Sequence, residues 1–167
     1  MKILLSCLLI LMLFADSSQS RKRKGKPTPK PTPKPTPNPR YEKFRRQHID
    51  KDMTDMVTMV NNKCDSVIKD KNIYDNNNCK RINTFIASDL AEVVKICTSE
   101  GTLNSQSQMM ESKKMFTLIN CKLKDNDAKK PNCQYEGILL TNRKLLVQCD
   151  NNNRPVHFGG YIAEPGF

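Results

Sequence analysis

Cys79-Lys-Arg-Ile-Asn-Thr-Phe85 lies near the middle of the 167-residue chain and places Lys80 between the chain's only two histidines. These are His48, in Arg45-Arg-Gln-His48, and His157, in Arg154-Pro-Val-His-Phe158. Histidine gives and takes protons near neutral pH. Two of them with a fixed cation suggest an acid, a base and a charge stabiliser. That set serves phosphoryl transfer and needs no metal or other cofactor.

Outward from this stretch, the cysteines describe the setting. Met1 to Ser20 reads as a secretory leader: Lys2 supplies the positive start, Ile3 to Phe14 the apolar run, and Ser18-Gln19-Ser20 a small-x-small cleavage site. The run of about 12 residues is too short to cross a bilayer of roughly 30 Å as a helix. Cys7 leaves with the leader, and Cys64, Cys79, Cys97, Cys121, Cys133 and Cys149 remain. Their separations of 15, 18, 24, 12 and 16 residues contain no CxxC pair, and the chain has no HxxxH pair. In a secreted, extracellular protein they read as three disulfides rather than a zinc site. Fifteen pairings of six cysteines are open.

The formal charge of +11 is concentrated at one end. Residues 21–40 hold eight Lys or Arg and no acid, whereas residues 41–167 hold 19 basic against 16 acidic side chains. Arg21 to Arg40 begins Arg-Lys-Arg-Lys-Gly-Lys and continues as a Pro-Thr-Pro-Lys repeat. Alternate prolines fix φ and remove amide donors, so this arm is expected to be extended polyproline II or disordered. It is either a solvated linker or a device for capturing RNA, anionic membranes or acidic glycans. The remaining residues, 41–167, have a single-domain length whose modest core calls for cross-links.

From Tyr41 the pattern turns helical, with Phe44 and His48 four residues apart on one face and Gln47 beside them. A second helix is expected around Val60 to Ile68. A third follows Asp89, whose side chain can cap it while Glu92 reaches back. Met115 to Lys124, Gln134 to Thr141, Lys144 to Cys149 and Pro155 to Ile162 read as strands, with turns that include Asn142-Arg143 and Asn151 to Arg154. Three short helices with a disulfide-tied antiparallel sheet make an α+β domain.

Lys43-Phe-Arg-Arg-Gln-His48, Cys79-Lys-Arg-Ile-Asn-Thr-Phe85 and Pro155-Val-His-Phe158, in that order among these cysteines, closely resemble the secreted pancreatic-type (RNase A) ribonuclease superfamily. The resemblance covers 41–167 and implies an RNase A-like fold and cleavage of RNA on the 3′ side of pyrimidines. It makes His48 the general base, His157 the general acid and Lys80 the stabiliser of phosphate charge. Gln47 corresponds to an amide donor to the scissile phosphate, Thr84 to the reader of the pyrimidine edge, and Phe158 to a residue that packs the base. Asn83 would fix the loop carrying Lys80, Lys43 and Arg46 would meet a neighbouring phosphate, and Asp150 would help hold the second base. The implied disulfides are Cys64 with Cys121, Cys79 with Cys133 and Cys97 with Cys149.

The chain also departs from the pancreatic pattern. Gly159 stands where pancreatic members carry an aspartate that orients the acid histidine, and Asn120 where they carry an aspartate tied to base preference. No cysteine lies between Cys97 and Cys121, so a fourth disulfide is missing, as in angiogenins. The end, Gly159 to Phe167, is longer than in the pancreatic enzyme; Tyr161 to Glu164 either folds back over the pyrimidine pocket or forms a final strand and frayed tail. The resemblance points to an angiogenin-like or lower-vertebrate branch. It implies a monomer acting on RNA, with a ribonuclease inhibitor as a partner by family habit. Host defence through membrane disruption and angiogenin-like signalling, with the basic arm as import or glycan signal, are alternative roles.

Overall fold

The computed structural model describes residues 38–54 and 60–163. The leader, the arm through residue 37 and the tail from Glu164 lie outside the described residues.

Helix α1, Pro39–His48, starts two residues before Tyr41. Asn38 is its N-cap: the side-chain oxygen accepts the Arg40 N–H at 2.9 Å, and Pro39 occupies a first-turn position that needs no amide donor. The Asn-Pro pair at the end of the proline-rich arm is therefore a helix start. The helix buries Phe44 and Gln47 and leaves Lys43, Arg45 and Arg46 exposed. Helix α2 spans Val60–Asp70, and the short α3, Leu90–Val94, runs into a 3₁₀ turn at Lys95–Cys97. Asp89 precedes α3 but its side chain makes no capping bond. Glu92 does not reach back to it, because Lys95 and Lys114 each hold its carboxylate at 2.6 Å. Hydrogen bonds from Lys114 and Lys95 lower the Glu92 pKa to about 2.

Strands β1 (Tyr74–Asp75) and β2 (Asn78–Cys79) form a small hairpin. The main sheet contains β3 (Ile82–Ile86), β4 (Gly101–Leu103), β5 (Met110–Ser112), β6 (Phe116–Leu123), β7 (Tyr135–Cys149) and β8 (Pro155–Ala163). All its pairings are antiparallel, in the order β3-β6-β7-β5-β4, with β8 also against β7. Asn142-Arg143 is not a turn. β7 runs through it for 15 residues, pairing with β6 up to Arg143 and with β8 from Arg143 onward. Asn142 takes a positive φ of 56° where the strand changes partner, a conformation asparagine tolerates better than most residues.

Two apolar clusters share β3 and β6. Adjacent residues on a strand point to opposite faces. Phe85 and Ile119 accordingly enter one cluster with Cys64, Ile68, Ile73 and Tyr135, while Ile86 and Leu118 enter the other with Phe44, Val93, Ile96, Leu145 and Val147. The disulfides are Cys64–Cys121, Cys79–Cys133 and Cys97–Cys149. They close separations of 57, 54 and 52 residues, for which chain entropy gives about 4 kcal/mol each. The outcome is an RNase A-like α+β domain in which Phe44 docks α1, and with it Gln47 and His48, against the sheet.

Candidate active site

A groove of about 530 Å³ lies between α1, β3 and β8. Gln47, His48, Lys80, Thr84, His157 and Phe158 all line it, with Lys43 at its edge. The two histidines, 109 residues apart in sequence, thus share one cleft with the lysine.

His48 is fixed by three contacts. Its Nδ1 lies 2.8 Å from the Thr84 carbonyl oxygen, and the ring stands 5.4 Å from Phe44 and 5.1 Å from Phe158 between centroids. A carbonyl can only accept, so Nδ1 carries the proton and Nε2 is left with its lone pair. Burial lowers the His48 pKa to about 4; Lys80, His157 and Lys43 push the same way, and the Thr84 bond opposes them. The imidazole is therefore neutral at pH 7 and able to take a proton.

Lys80 follows β2 directly and reaches back toward α1. Its Nζ donates to Asn83 Oδ1 at 3.0 Å and lies 3.4 Å from Gln47 Oε1. Asn83 in turn donates Nδ2–H to the Gln47 backbone carbonyl at 2.8 Å and is almost wholly buried. One amide therefore ties the lysine to the helix that carries the histidine. Burial lowers the Lys80 pKa; Asp75 opposes this, and Lys43 and Arg46 add to it.

His157 enters from β8, where it pairs with Gln148 of β7. It is exposed, and none of the described residues hydrogen-bonds its ring. Thr84, buried in β3, donates its hydroxyl to Asn120 Oδ1 at 3.2 Å. The groove thus brings together a desolvated imidazole, a cation and an exposed imidazole, an arrangement suited to moving one proton onto and another off a phosphate ester.

The pancreatic ribonuclease family model matches residues 39–159. The chain belongs to the pancreatic ribonuclease family. Pancreatic ribonuclease of Osphranter rufus is 32% identical over 123 residues, covering 72% of this chain and 97% of that protein. Ribonuclease-like 3 of Danio rerio is 32% identical over 123 residues, covering 71% and 76%. Among solved structures, zebrafish RNase5 superposes with a TM-score of 0.63 at 37% identity, covering 73% of this chain and 94% of that one. Green turtle egg white ribonuclease gives 0.64 at 29% identity, covering 75% and 100%.

Two residues that the family resemblance assigns to substrate binding make extensive contacts within this pancreatic-type domain. Arg46 donates to the carbonyls of Lys71 at 2.9 Å and Asn72 at 2.8 Å, so its guanidinium braces the loop after α2. Asp150 receives Asn38 Nδ2 at 2.8 Å and Arg154 Nη2 at 3.1 Å, together with the amides of Asn152 and Arg154. Desolvation raises the Asp150 pKa, but these hydrogen bonds outweigh it and the net shift is downward. The carboxylate is consumed in joining the β7–β8 turn to the start of α1. Tyr161, Ile162 and Ala163 pair with β7 opposite Leu145, Lys144 and Arg143, so this part of the end is a strand and does not cover the groove. Glu164 lies outside the described residues.

Arg40, Asp75, Ile82 and Val156 line the groove without having been singled out in the sequence. Arg40, which the sequence groups with the arm, lies in α1, and its guanidinium bonds Gln148 Oε1 at 3.2 Å. The helix-start signal at Asn38-Pro39 would have brought it into the domain. A larger hollow of about 750 Å³, lined by Glu42, Lys43, Arg45, Arg46 and Lys71 among others, lies on the other side of α1. Neither histidine lines it; both line the smaller groove.

Proposed function

We propose that this chain is a secreted endoribonuclease that cleaves single-stranded RNA on the 3′ side of pyrimidines. The observation that carries the reading is the convergence of His48, Lys80 and His157 on one groove, with His48 Nδ1 committed to the Thr84 carbonyl. In this reading His48 Nε2 removes the 2′-hydroxyl proton as that oxygen attacks the adjacent phosphorus. Lys80 and the Gln47 amide offset charge on the nonbridging oxygens. His157 protonates the departing 5′ oxygen, leaving a 2′,3′-cyclic phosphate that water later opens. DNA lacks the attacking hydroxyl and is not a substrate. Acid, base and cation all come from the protein, so the reaction needs no metal.

The test is cleavage of polycytidylate and polyuridylate by the parent, His48→Ala and His157→Ala in the presence of a chelator, with the cyclic phosphate followed by phosphorus NMR. Parent-level cutting by either variant sinks the assignment, and loss of parent activity to the chelator sinks metal independence.

The eight positive charges of residues 21–40 favour an added role for the arm in holding polyanions such as RNA, anionic membranes or acidic glycans. Deleting 21–37 should flatten the fall of RNA affinity with salt. Bacterial killing or angiogenic signalling that survives His48→Ala but vanishes with the arm would separate such a role from catalysis.

A further inference from the structure

The backbone around His157 is irregular on both sides. β7 and β8 pair Cys149 with Pro155 and Gln148 with His157, then Val147 with Phe158 and Leu146 with Gly160. Val156 and Gly159 are therefore each an extra residue, and the His157-Phe158 pair is bracketed by two single-residue bulges. Bulges redirect the side chains beside them. Val156, His157 and Phe158 in succession line the groove, where an unbroken strand would turn alternate side chains to opposite faces.

The second bulge is filled from another strand's loop. A β-carbon on Gly159 would stand 2.1 Å from Met109 Sδ, 3.0 Å from its Cε and 3.4 Å from the Leu146 carbonyl oxygen. The Met109 side chain occupies that volume. Met109 is itself held: its carbonyl accepts the Asn104 N–H at 2.8 Å and its N–H donates to Ser107 Oγ at 3.3 Å, while Asn104 Nδ2 bonds Glu111 at 2.8 Å. Met110, next in the chain, pairs with Val147, and Val147 pairs with Phe158. A tied loop thus sets a thioether against the bulge two residues beyond His157. No described side chain hydrogen-bonds the His157 ring, so the backbone that carries it bears directly on its position.

We propose that Met109 is a positioning residue for His157, acting through the Gly159 bulge. This rests on the reading of His157 as the general acid. As the bond from phosphorus to the 5′ oxygen breaks, its electron pair stays on that oxygen, which takes the proton from the imidazolium. Misplacing the imidazole therefore penalises a basic leaving group and spares one that departs without a proton.

The experiment compares kcat/KM for uridylyl-3′,5′-adenosine and for uridine 3′-(4-nitrophenyl phosphate), whose aryl oxide leaves unprotonated. Met109→Ala should lose roughly tenfold on the dinucleotide, the scale of a sub-ångström misplacement, and little on the aryl ester. Gly159→Ala, whose methyl displaces the sulfur, should show the same selective loss. Met109→Leu, which refills the space, should keep the parent ratio. Melting temperatures of the three variants identify any that fail to fold, and Gly159→Ala tests the idea even where Met109→Ala fails. An unchanged ratio of the two rates in a folded Met109→Ala or Gly159→Ala protein overturns the proposal. His157→Ala separates the two levels. If it shows the selective loss while the Met109 and Gly159 variants do not, only the positioning role falls; if it loses equally on both substrates, the acid assignment falls and the positioning role with it.

Discussion

The Nδ1 of His48 lies 2.8 Å from the carbonyl oxygen of Thr84, so a strand backbone sets the tautomer of a helix side chain. The same strand carries Asn83, which binds the helix at Gln47 and the cation at Lys80. His48 and Lys80 are thereby held by one short piece of β3 docked on α1. His157, by contrast, comes from β8 and has no such tether among the described residues.

This arrangement has a pH signature. Burial, assisted by Lys80, His157 and Lys43, lowers the His48 pKa from the ordinary 6.5 to about 4. The acidic limb of kcat/KM against pH should accordingly lie well below 6.5, and Lys80→Met should move it upward by removing a like charge. The folding linkage runs the same way. Between pH 6.5 and about 4 the unfolded chain holds the extra proton, so stability falls as pH drops through that window, by at most about 3 kcal/mol. Denaturant melts of the parent and His48→Ala across this range measure it; an equal pH slope in both proteins would contradict the shift.

Asn83 should behave as a positioning residue. Asn83→Ala frees Lys80 from its 3.0 Å acceptor and leaves the Gln47 carbonyl unpaired. The lysine keeps its charge but loses its aim. We expect kcat to fall by about 10²-fold, on the scale of a lost charge-stabilising contact, with KM changed far less. Lys80→Arg should fare no better than Lys80→Ala within about tenfold, because a planar fork does not fit a site built for a compact ammonium. Steady-state kinetics on a dinucleotide check both.

The site was legible in the sequence where residue type and local string act together. His48, Lys80, Thr84 and His157 meet in the groove because the motifs that carry them are short and each sits on one element. The contacts of Arg46 and Asp150 were not legible in the same way: a charged side chain has several partners within reach, and which one it takes depends on loops distant in sequence. Arg46 takes the carbonyls of Lys71 and Asn72, and Asp150 takes Asn38 from 112 residues away. The fold shows the same division. Helix α1 and strands β6 and β8 follow local pattern, whereas the two halves of β7 read as separate strands because Asn142-Arg143 has turn chemistry. Pairing with β6 on one side and β8 on the other overrides it. The very short β1, β2, β4 and β5 carry too few residues for periodicity to register.

Asp150 should matter for stability more than for catalysis. Its carboxylate gathers Asn38, Arg154 and two amides, and Arg154 also stacks 5.3 Å from the Tyr41 ring. Asp150→Ala should release the N-cap of α1 and lower the melting temperature by a few degrees. Because the bonded pKa is shifted down, that contribution is present above the ordinary carboxylate range and is lost as pH falls through it. Selectivity for the base after the cleavage site should stay within about twofold, the scale of surface substitutions. A large change in that selectivity with an unchanged melting temperature would return Asp150 to a substrate-binding role.

Base preference should turn on the Thr84–Asn120 pair. The Thr84 hydroxyl donates to Asn120 Oδ1 at 3.2 Å, which leaves its own oxygen free to accept a proton from a base edge such as uracil N3–H. An asparagine can also rotate its amide and present Nδ2, in which case the hydroxyl turns and donates to cytosine N3. Under the proposed pyrimidine specificity the pair would accommodate both bases. Asn120→Asp removes the second option, because a carboxylate only accepts. The hydroxyl is then held as donor to residue 120 and acceptor toward the base. Uridine should gain over cytidine by about five- to tenfold, the worth of one hydrogen bond of about 1 kcal/mol or slightly more. Thr84→Val should erase the preference in the parent and in the Asn120→Asp background alike. Competing cleavage of uridylyl- and cytidylyl-3′,5′-adenosine measures the ratio, and a shift toward cytidine in Asn120→Asp would show that Thr84 does not read the base through its hydroxyl.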